Sequence, residues 1–510
     1  MISKRLPAAL SAMLVPVVAA LTLVNANTVS AASLDEVVES AVQPLAAGLS
    51  AVVFYPISIF GADVPWIVLW LAIAATFFTL YLGFINIRGF GLALRLVRGD
   101  FHDPKATGEI SHFQAVATAV SGTVGVGNIG GVAVAITLGG PGAALWLVIA
   151  GFLSMSTKLV ECTLGVKYRR ENPDGSVSGG PMYYLEHLFS SRGMPRWGKM
   201  LGGLYAACLV IGCFGIGNMF QSNQAYVQFV TITGGESSFF ADRGWLFGLG
   251  IAALVGAVIL GGIRSIAAVA GRIVPFMAVL YMISALTIIL FSFREIPSAI
   301  ALIFSSAFTL ESATGGLIGA MIVGFQRALF SNEAGLGSAS IAHSAVQTEH
   351  PASEGLVSLL EPFIDTVVIC TLSSLVIVVT AYPAGLMGQG YEGIALTSAA
   401  FAHHVSWAPY PLAIAALLFA FSTAIAWSYY GLKAWTYLFG ENPLSANFFK
   451  FVFCAFLALG CMVQLKAVLD FSDAMVFLIA VPNILGLYFF APEVKREVSA
   501  FMDAVKAGKV

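Results

Sequence analysis

Apolar runs of about twenty residues recur eleven times along this chain, each long enough to cross the roughly 30 Å of hydrocarbon in a bilayer. In lipid every backbone amide and carbonyl must be paired within the protein, so each run has to be helical except where a cavity shelters an irregular stretch. The runs lie near 65–86, 110–138, 141–166, 200–231, 245–262, 273–293, 312–342, 355–381, 409–432, 447–466 and 470–491. A shorter apolar stretch, 297–308, is expected to rest on the outer surface. Of the 510 residues only 10% are charged and 58% are hydrophobic, with a mean hydropathy of +0.88, so membrane lipid rather than water has to solvate much of the surface. The 52 glycines suit helices whose backbones approach closely. The fold class read from these features is an all-α integral membrane protein of about 11 transmembrane helices.

Charge placement tests that count independently, because Lys and Arg concentrate in cytoplasmic connections. With the mature N-terminus outside, eighteen of the 25 basic residues fall in every second connection or in the C-terminal tail. Only Arg243, Arg294 and Lys466 fall in outer connections, while Lys158 and Arg327 sit inside spans. The reading is a multi-pass inner-membrane protein with its C-terminus in the cytoplasm.

Residues 1–32 have the layout of a signal peptide: Lys4 and Arg5, an apolar stretch from Ala8 to Val24, then the small residues Ser30, Ala31 and Ala32. The alternative is an uncleaved first helix. Residues 33–64 then form a periplasmic segment, 65–491 the transmembrane domain, and 492–510 a cytoplasmic tail. The six cysteines all fall in apolar segments without metal-ligand spacing and read as small core residues.

The second and seventh spans stand apart. Ser121-Gly122-Thr123-Val124-Gly125-Val126-Gly127-Asn128-Ile129-Gly130-Gly131 and Arg327-Ala328-Leu329-Phe330-Ser331-Asn332-Glu333-Ala334-Gly335-Leu336-Gly337-Ser338 each put glycines and polar groups at mid-depth between apolar helices. Glycine clusters in membrane helices are commonly packing faces. Asn128, Ser331, Asn332, Glu333 and Arg327 tip the balance, because polar groups at that depth are costly unless used. The two interrupted spans are five apart and cross in opposite directions, as an inverted five-plus-five repeat over about 110–293 and 312–491 requires, with the first span as an extra. Broken ends leave amides free for a substrate carboxylate and carbonyls free for a cation. The expected ligand is small, anionic at one end and cation-coupled.

Ser422, Thr423 and Trp427 lie along one stretch of the ninth span, where hydroxyls can complete a cation site and an indole can wall a pocket, or can simply back-bond and pack. Gln221, Asn223 and Gln224 close the fourth span with a polar patch. Glu361 and Asp365, four apart in the eighth span, share a face and pair with Arg327 or Lys158, or relay a proton or cation; Lys158 and Glu161 are expected to satisfy each other. No phosphate loop, nucleophile triad or zinc spacing is present in the sequence, and the seven histidines are scattered, with His403 and His404 in an outer loop. Neither enzyme activity nor a nucleic-acid partner is expected, and no cofactor beyond a coupling ion.

The stretches G-E-I-S-H-F-Q-A from 108, V-G-V-G-N-I-G-G-V-A from 124 and L-F-S-N-E-A-G-L-G-S-A from 329 resemble the alanine or glycine:cation symporter family, and the similarity covers nearly the whole mature chain. The resemblance implies a leucine-transporter-type fold and sodium-coupled uptake of alanine or glycine. Residues 124–128 also resemble the unwound first core helix of neurotransmitter:sodium symporters, which implies substrate binding at Gly125, Gly127 and Asn128. It further implies a sodium site framed by backbone oxygens of Ser121 and Val124 and hydroxyls of Ser422 and Thr423, and a second one, at Thr123 and Asn128, that the family need not use. Phe325, Thr423 and Trp427 match pocket positions of the family, and Gln221 matches the residue that contacts the substrate ammonium. Val126 stands where many members carry Thr, which leaves a backbone contact there. Two alternatives stay open within carriers, proton coupling through Asp365 or Glu333 and a larger solute such as glutamine. A gated channel or membrane receptor is the alternative of another class.

Overall fold

The computed structural model describes residues 43–509, apart from 45, 60, 61, 102, 104, 174, 309–315, 392 and 463–465. The expected signal peptide, 1–32, lies outside the described residues. The segment before the first span closes in a two-stranded antiparallel hairpin, Pro56–Ile59 against Ala62–Pro65.

Among the described residues each of the eleven apolar runs is mainly helical. In order the helices are Trp66–Tyr81, His112–Thr123 continued by Gly127–Gly139, Ala143–Lys167, Pro195–Ile232, Gly244–Ile259, Gly262–Phe291, Gly316–Asn332 followed by Ser338–His343, Pro351–Thr380, Pro409–Phe439, Pro443–Gly460 and Lys466–Lys506. Among the described residues seven helices are long and apolar enough to cross a membrane unaided, and an eighth is the bent pair of the second span. The first, fifth and seventh contribute 16, 16 and 17 residues. The eleventh helix does not end at 491, where the apolar run ends, but continues to Lys506 as a polar extension.

The 297–308 stretch, set apart from the spans, is a helix, Ile296–Phe308, with Ala299, Ile303 and Ala307 buried. One local detail differs from the sequence reading. The connection after the eighth span, read as an outer loop, holds a further helix, Ile394–His404. It packs on the break of the second span, where Thr397 Oγ1 donates to the Ile129 carbonyl at 3.2 Å.

Packing divides the spans into neighbourhoods. The third span lies against the first, seventh and eighth, the fourth against the ninth and eleventh, the fifth against the tenth, and the sixth against the second and ninth. The sixth turns Phe276, Ile283 and Leu290 outward, the face a lipid-solvated helix presents. The ninth is enclosed, with Trp427 and Tyr430 fully buried, so its side chains can serve an interior site.

Candidate substrate and cation site between the broken spans

The second span starts on a capping box, Ser111 with Gln114, and runs as an α-helix to Thr123. There the glycines release it. Val124 turns to an extended conformation, the chain resumes as a π-turn over Gly127–Gly131, and the two halves meet at 54°. The Gly125 amide, freed from the Ser121 carbonyl, donates to Asn128 Oδ1 at 2.9 Å. The next amide, Val126, donates to Gln221 Oε1 at 3.2 Å. Side-chain carbonyl oxygens thus occupy amides that a carboxylate could take.

The seventh span breaks by a different device. Glu333, Gly335 and Gly337 have φ of 55°, 93° and 80°, the left-handed region where glycine is at ease and glutamate is not. A side chain at Gly335 would also meet Leu71 Cδ2 at 2.4 Å, and one at Gly337 would meet Pro181 Cγ at 2.3 Å. Glu333 is held there by three groups: Ser338 Oγ donates to one carboxylate oxygen, Trp427 Nε1 donates to the other at 3.2 Å, and its own amide donates to the Leu329 carbonyl at 3.0 Å.

The two breaks enclose a cavity of about 20 Å³, lined by Gly122, Thr123, Gly125, Gly127, Ile216, Gln221, Phe330, Ser331, Glu333, Thr423 and Trp427. That is room for about one water, so the walls must part to admit even a small amino acid. A Cβ at Gly127 would find only Phe330, 3.9 Å away, so this glycine opens onto free space. One at Gly125 would press on Thr423 Oγ1 at 2.9 Å and on Gln221 at 3.1 Å. The indole of Trp427 donates to the Gly122 carbonyl at 3.2 Å and forms one wall. π-turns at Gly215–Met219 and Phe363–Cys370 adjoin the same region as the one at Gly127–Gly131, and such turns recur at functional sites.

Of the residues singled out from sequence, the structure brings Thr123, Gly125, Gly127, Gln221, Ser331, Glu333, Thr423 and Trp427 onto the cavity wall. Asn128 stands behind it, bonded to Gly125 and to Ser331. Ser121 Oγ donates to the Ser422 carbonyl at 2.8 Å, so these two expected sodium ligands are adjacent, and Val124 follows them as the cap of the helix. Thr423 Oγ1 is buried without a hydrogen-bond partner among the described residues, which leaves an oxygen free for a ligand. Ser422 Oγ donates to the Phe419 carbonyl at 3.0 Å. Phe325 is not on the cavity wall; its ring lies 6.3 Å from that of Trp146, and Phe330 is the phenylalanine facing the cavity. Gly122, Ile216 and Phe330 complete the wall without having been proposed as ligand contacts.

The buried charges pair partly as expected. Lys158 joins Glu361 at 3.0 Å, one of the pairings expected for that carboxylate, and not Glu161, which accepts from Asn483 at 2.7 Å. Asp365 pairs with neither Arg327 nor Lys158. Its carboxylate accepts from Asn128, from Ser331 at 2.9 Å and from Thr366 at 2.6 Å. No Lys, Arg or His stands within ion-pair distance of it among the described residues. No group of His, Cys, Asp and Glu suited to a tightly held metal is found among the described residues either.

Two oppositely directed helices interrupted around one small interior cavity define a secondary transporter. The chain belongs to the sodium:alanine symporter family, which it matches over residues 49–510. It is 39% identical to the sodium/alanine symporter AgcS of Methanococcus maripaludis over 443 residues, 87% of this chain and 95% of that protein. It is 34% identical to the probable sodium/glutamine symporter GlnT of Bacillus subtilis, over 88% of this chain and 90% of that one. The solved structure of MhsT in complex with L-phenylalanine superposes with a TM-score of 0.55 at 15% identity, over 77% of this chain and 99% of that one, which establishes the leucine-transporter-type fold. The protein is a sodium-coupled amino-acid symporter and not an enzyme.

Proposed function

We propose that this symporter moves alanine or glycine inward with sodium by alternating access. The observation that carries the reading is the lining of the central cavity: Phe330, Trp427 and Ile216 close its sides, only about 20 Å³ is open between them, and the free space lies beside Gly127. Walls this close favour a solute with a short side chain. Its carboxylate would meet the amides around Gly125 and Gly127, displacing the side-chain oxygens of Asn128 and Gln221, and the released Gln221 amide oxygen would accept from the substrate ammonium. Sodium would lie against the carbonyls of Ser121 and Val124 and the hydroxyls of Ser422 and Thr423, where the Gly125 amide has left the Ser121 carbonyl and Thr423 Oγ1 has no other partner.

Joint occupancy supplies the coupling, because each ligand fixes backbone that also forms the other's site: residues 121–128 serve both. Sodium entering down a membrane potential releases about 2.3 kcal/mol per 100 mV, enough to concentrate the solute severalfold or more. The N-terminus outside and C-terminus inside, the inner-membrane location, and cleavage of residues 1–32 belong to the same reading and rest on the charge placement. Asp365, buried beside the cavity without a cation, favours a second reading in which a proton accompanies or replaces sodium.

The test is uptake of labelled alanine into proteoliposomes under an inward sodium gradient, an equal potassium gradient, or a proton gradient alone. Accumulation above the outside level with sodium only bears out the reading. Accumulation with the proton gradient alone selects the second reading. Preference for glutamine over alanine and glycine in competition overturns the substrate assignment while leaving the mechanism.

A further inference from the structure

The inner ends of the two broken spans are joined backbone to backbone. Residues 107–110, leading into the second span, meet 345–348, leaving the seventh, around one isolated parallel bridge between Ile110 and Val346. The Glu109 and Ile110 amides donate to the Ala345 carbonyl at 2.7 and 3.2 Å, Gln347 donates to Ile110 at 2.8 Å, and Thr348 donates to Thr107 at 3.2 Å. The approach is so close that a Cβ at Gly108 would sit 2.1 Å from the Val346 carbonyl oxygen.

Arg169, just beyond the third span, clamps this joint. Its Nη1 donates to the carbonyls of Ser344 and Val346 at 3.0 and 2.6 Å, and its Nη2 to those of Thr107 and Thr348 at 2.7 and 3.1 Å. One planar guanidinium thus holds both strands of the joint, a geometry that a lysine ammonium does not reproduce. Deeper in the protein an ionic chain connects the same spans. Glu354 of the eighth accepts from His112 of the second and, at 2.5 Å, from His343 of the seventh; Glu361 pairs with Lys158 of the third and lies 3.6 Å from His343.

Contacts from these four spans across the cavity are single hydrogen bonds instead: Ser121 to Ser422, Val126 to Gln221, Trp427 to Gly122 and Glu333, and Tyr205 to the Leu336 carbonyl at 2.8 Å. At the inner surface Glu109 faces Arg264 of the sixth span at 3.9 Å, in an exposed pair of little strength. Separating the joint would break all the bonds around Arg169 together, whereas sliding the four spans past the rest breaks isolated ones across the cavity and, at the end of the third span, the half-exposed pairs of Lys167 with Glu493 and Glu497.

We propose that Arg169 is a positioning residue that locks the inner halves of the second and seventh spans together, so that with the third and eighth they move as one body when the inner side opens, and neither broken helix swings alone. The proposal rests on the alternating-access reading, but not on which amino acid is carried.

The test places cysteines at Thr107 and Thr348, in a protein whose six native cysteines are buried or half-buried in its helices. Uptake is measured for whichever neutral amino acid the unaltered protein accumulates. Oxidising T107C/T348C is expected to leave uptake within about twofold of the reduced protein. Arg169→Gln is expected to lower it about tenfold, and the oxidised cysteine pair in that background to restore most of it, because a covalent link replaces four charged hydrogen bonds. Loss of uptake on oxidation of the double variant, or no recovery in the triple variant, overturns the proposal. Spin labels at the same two positions supply a readout independent of substrate. One distance in sodium-containing and sodium-free buffer is expected, and two distances would show that the ends part.

Discussion

Trp427 and Glu333 meet across the cavity, the indole Nε1 3.2 Å from a carboxylate oxygen and equally 3.2 Å from the Gly122 carbonyl. One donor on the ninth span therefore touches the breaks of both interrupted helices. The contact is possible because the fourth span yields: at Gly217 a Cβ would lie 2.1 Å from Trp427 Cγ. Closing the site around a ligand and aligning the two breaks are thus linked through one side chain.

Trp427→Phe keeps the aromatic wall and removes the donor. It leaves a buried carboxylate oxygen and a carbonyl with one partner fewer, which costs about 1–3 kcal/mol for each neutral group and more for a charged one. Uptake is expected to fall about tenfold or more at low substrate. Trp427→Leu also enlarges the cavity, so competition assays with alanine, leucine and glutamine are expected to show a shift toward the larger solutes. Unchanged selectivity in the leucine variant would remove Trp427 from the pocket wall.

Thr423→Val removes a hydroxyl that makes no hydrogen bond to the rest of the protein among the described residues. Stability in detergent is expected to stay within about 0.5 kcal/mol, as for other replacements away from any bonded feature. If that oxygen binds sodium, its loss costs about 1.5–3 kcal/mol of cation affinity, and the sodium concentration for half-maximal uptake rises tenfold or more. A sodium titration of initial rates reads this directly. An unmoved midpoint would place the cation elsewhere.

The glycines of the second span separate two roles. Gly125→Ala pushes a methyl into Thr423 and Gln221 at 2.9 and 3.1 Å, so it is expected to weaken sodium and substrate binding together. Gly127→Leu meets no wall closer than Phe330 and fills the cavity instead; it is expected to abolish substrate binding while the protein still inserts and purifies as a folded species. Binding of labelled substrate to detergent-solubilised protein, with size-exclusion chromatography as the folding check, distinguishes the two. Normal uptake by the leucine variant would contradict the site assignment.

The eleven apolar runs and both interrupted spans were legible because they are local: lipid forces helix on any long apolar run, and glycines beside Asn128, Ser331 and Glu333 mark where the helix fails. What depends on how helices cross was not legible. The sequence offered Lys158 two partners, Glu161 on its own helix and Glu361 on another, and only the packing selects Glu361; Asp365 finds Asn128 and Ser331 rather than a basic partner. His112 and His343, far apart in sequence and read as scattered, flank one glutamate. Phe325 and Phe330 are five positions apart on a helix and so point about 140° from each other; only the packing shows which faces the cavity. The helix Ile394–His404 is short and lies in a glycine-containing connection, where periodicity carries little weight.

Lys158 and Glu361 form a fully buried ion pair, and breaking such a pair from one side is far costlier than removing it whole. Lys158→Met leaves Glu361 facing only the more distant His343, at 3.6 Å, and is expected to destabilise the protein by about 3–5 kcal/mol. Glu361→Gln leaves the lysine ammonium without its carboxylate and is expected to cost a similar amount. The double variant Lys158→Met with Glu361→Gln carries no unpaired charge at this position, so its loss should be clearly smaller than the sum of the two single losses. Thermal unfolding in one detergent for all four proteins measures the cycle. Additive losses would mean that the two groups are stabilised independently, with His343 rather than Lys158 as the effective partner of Glu361.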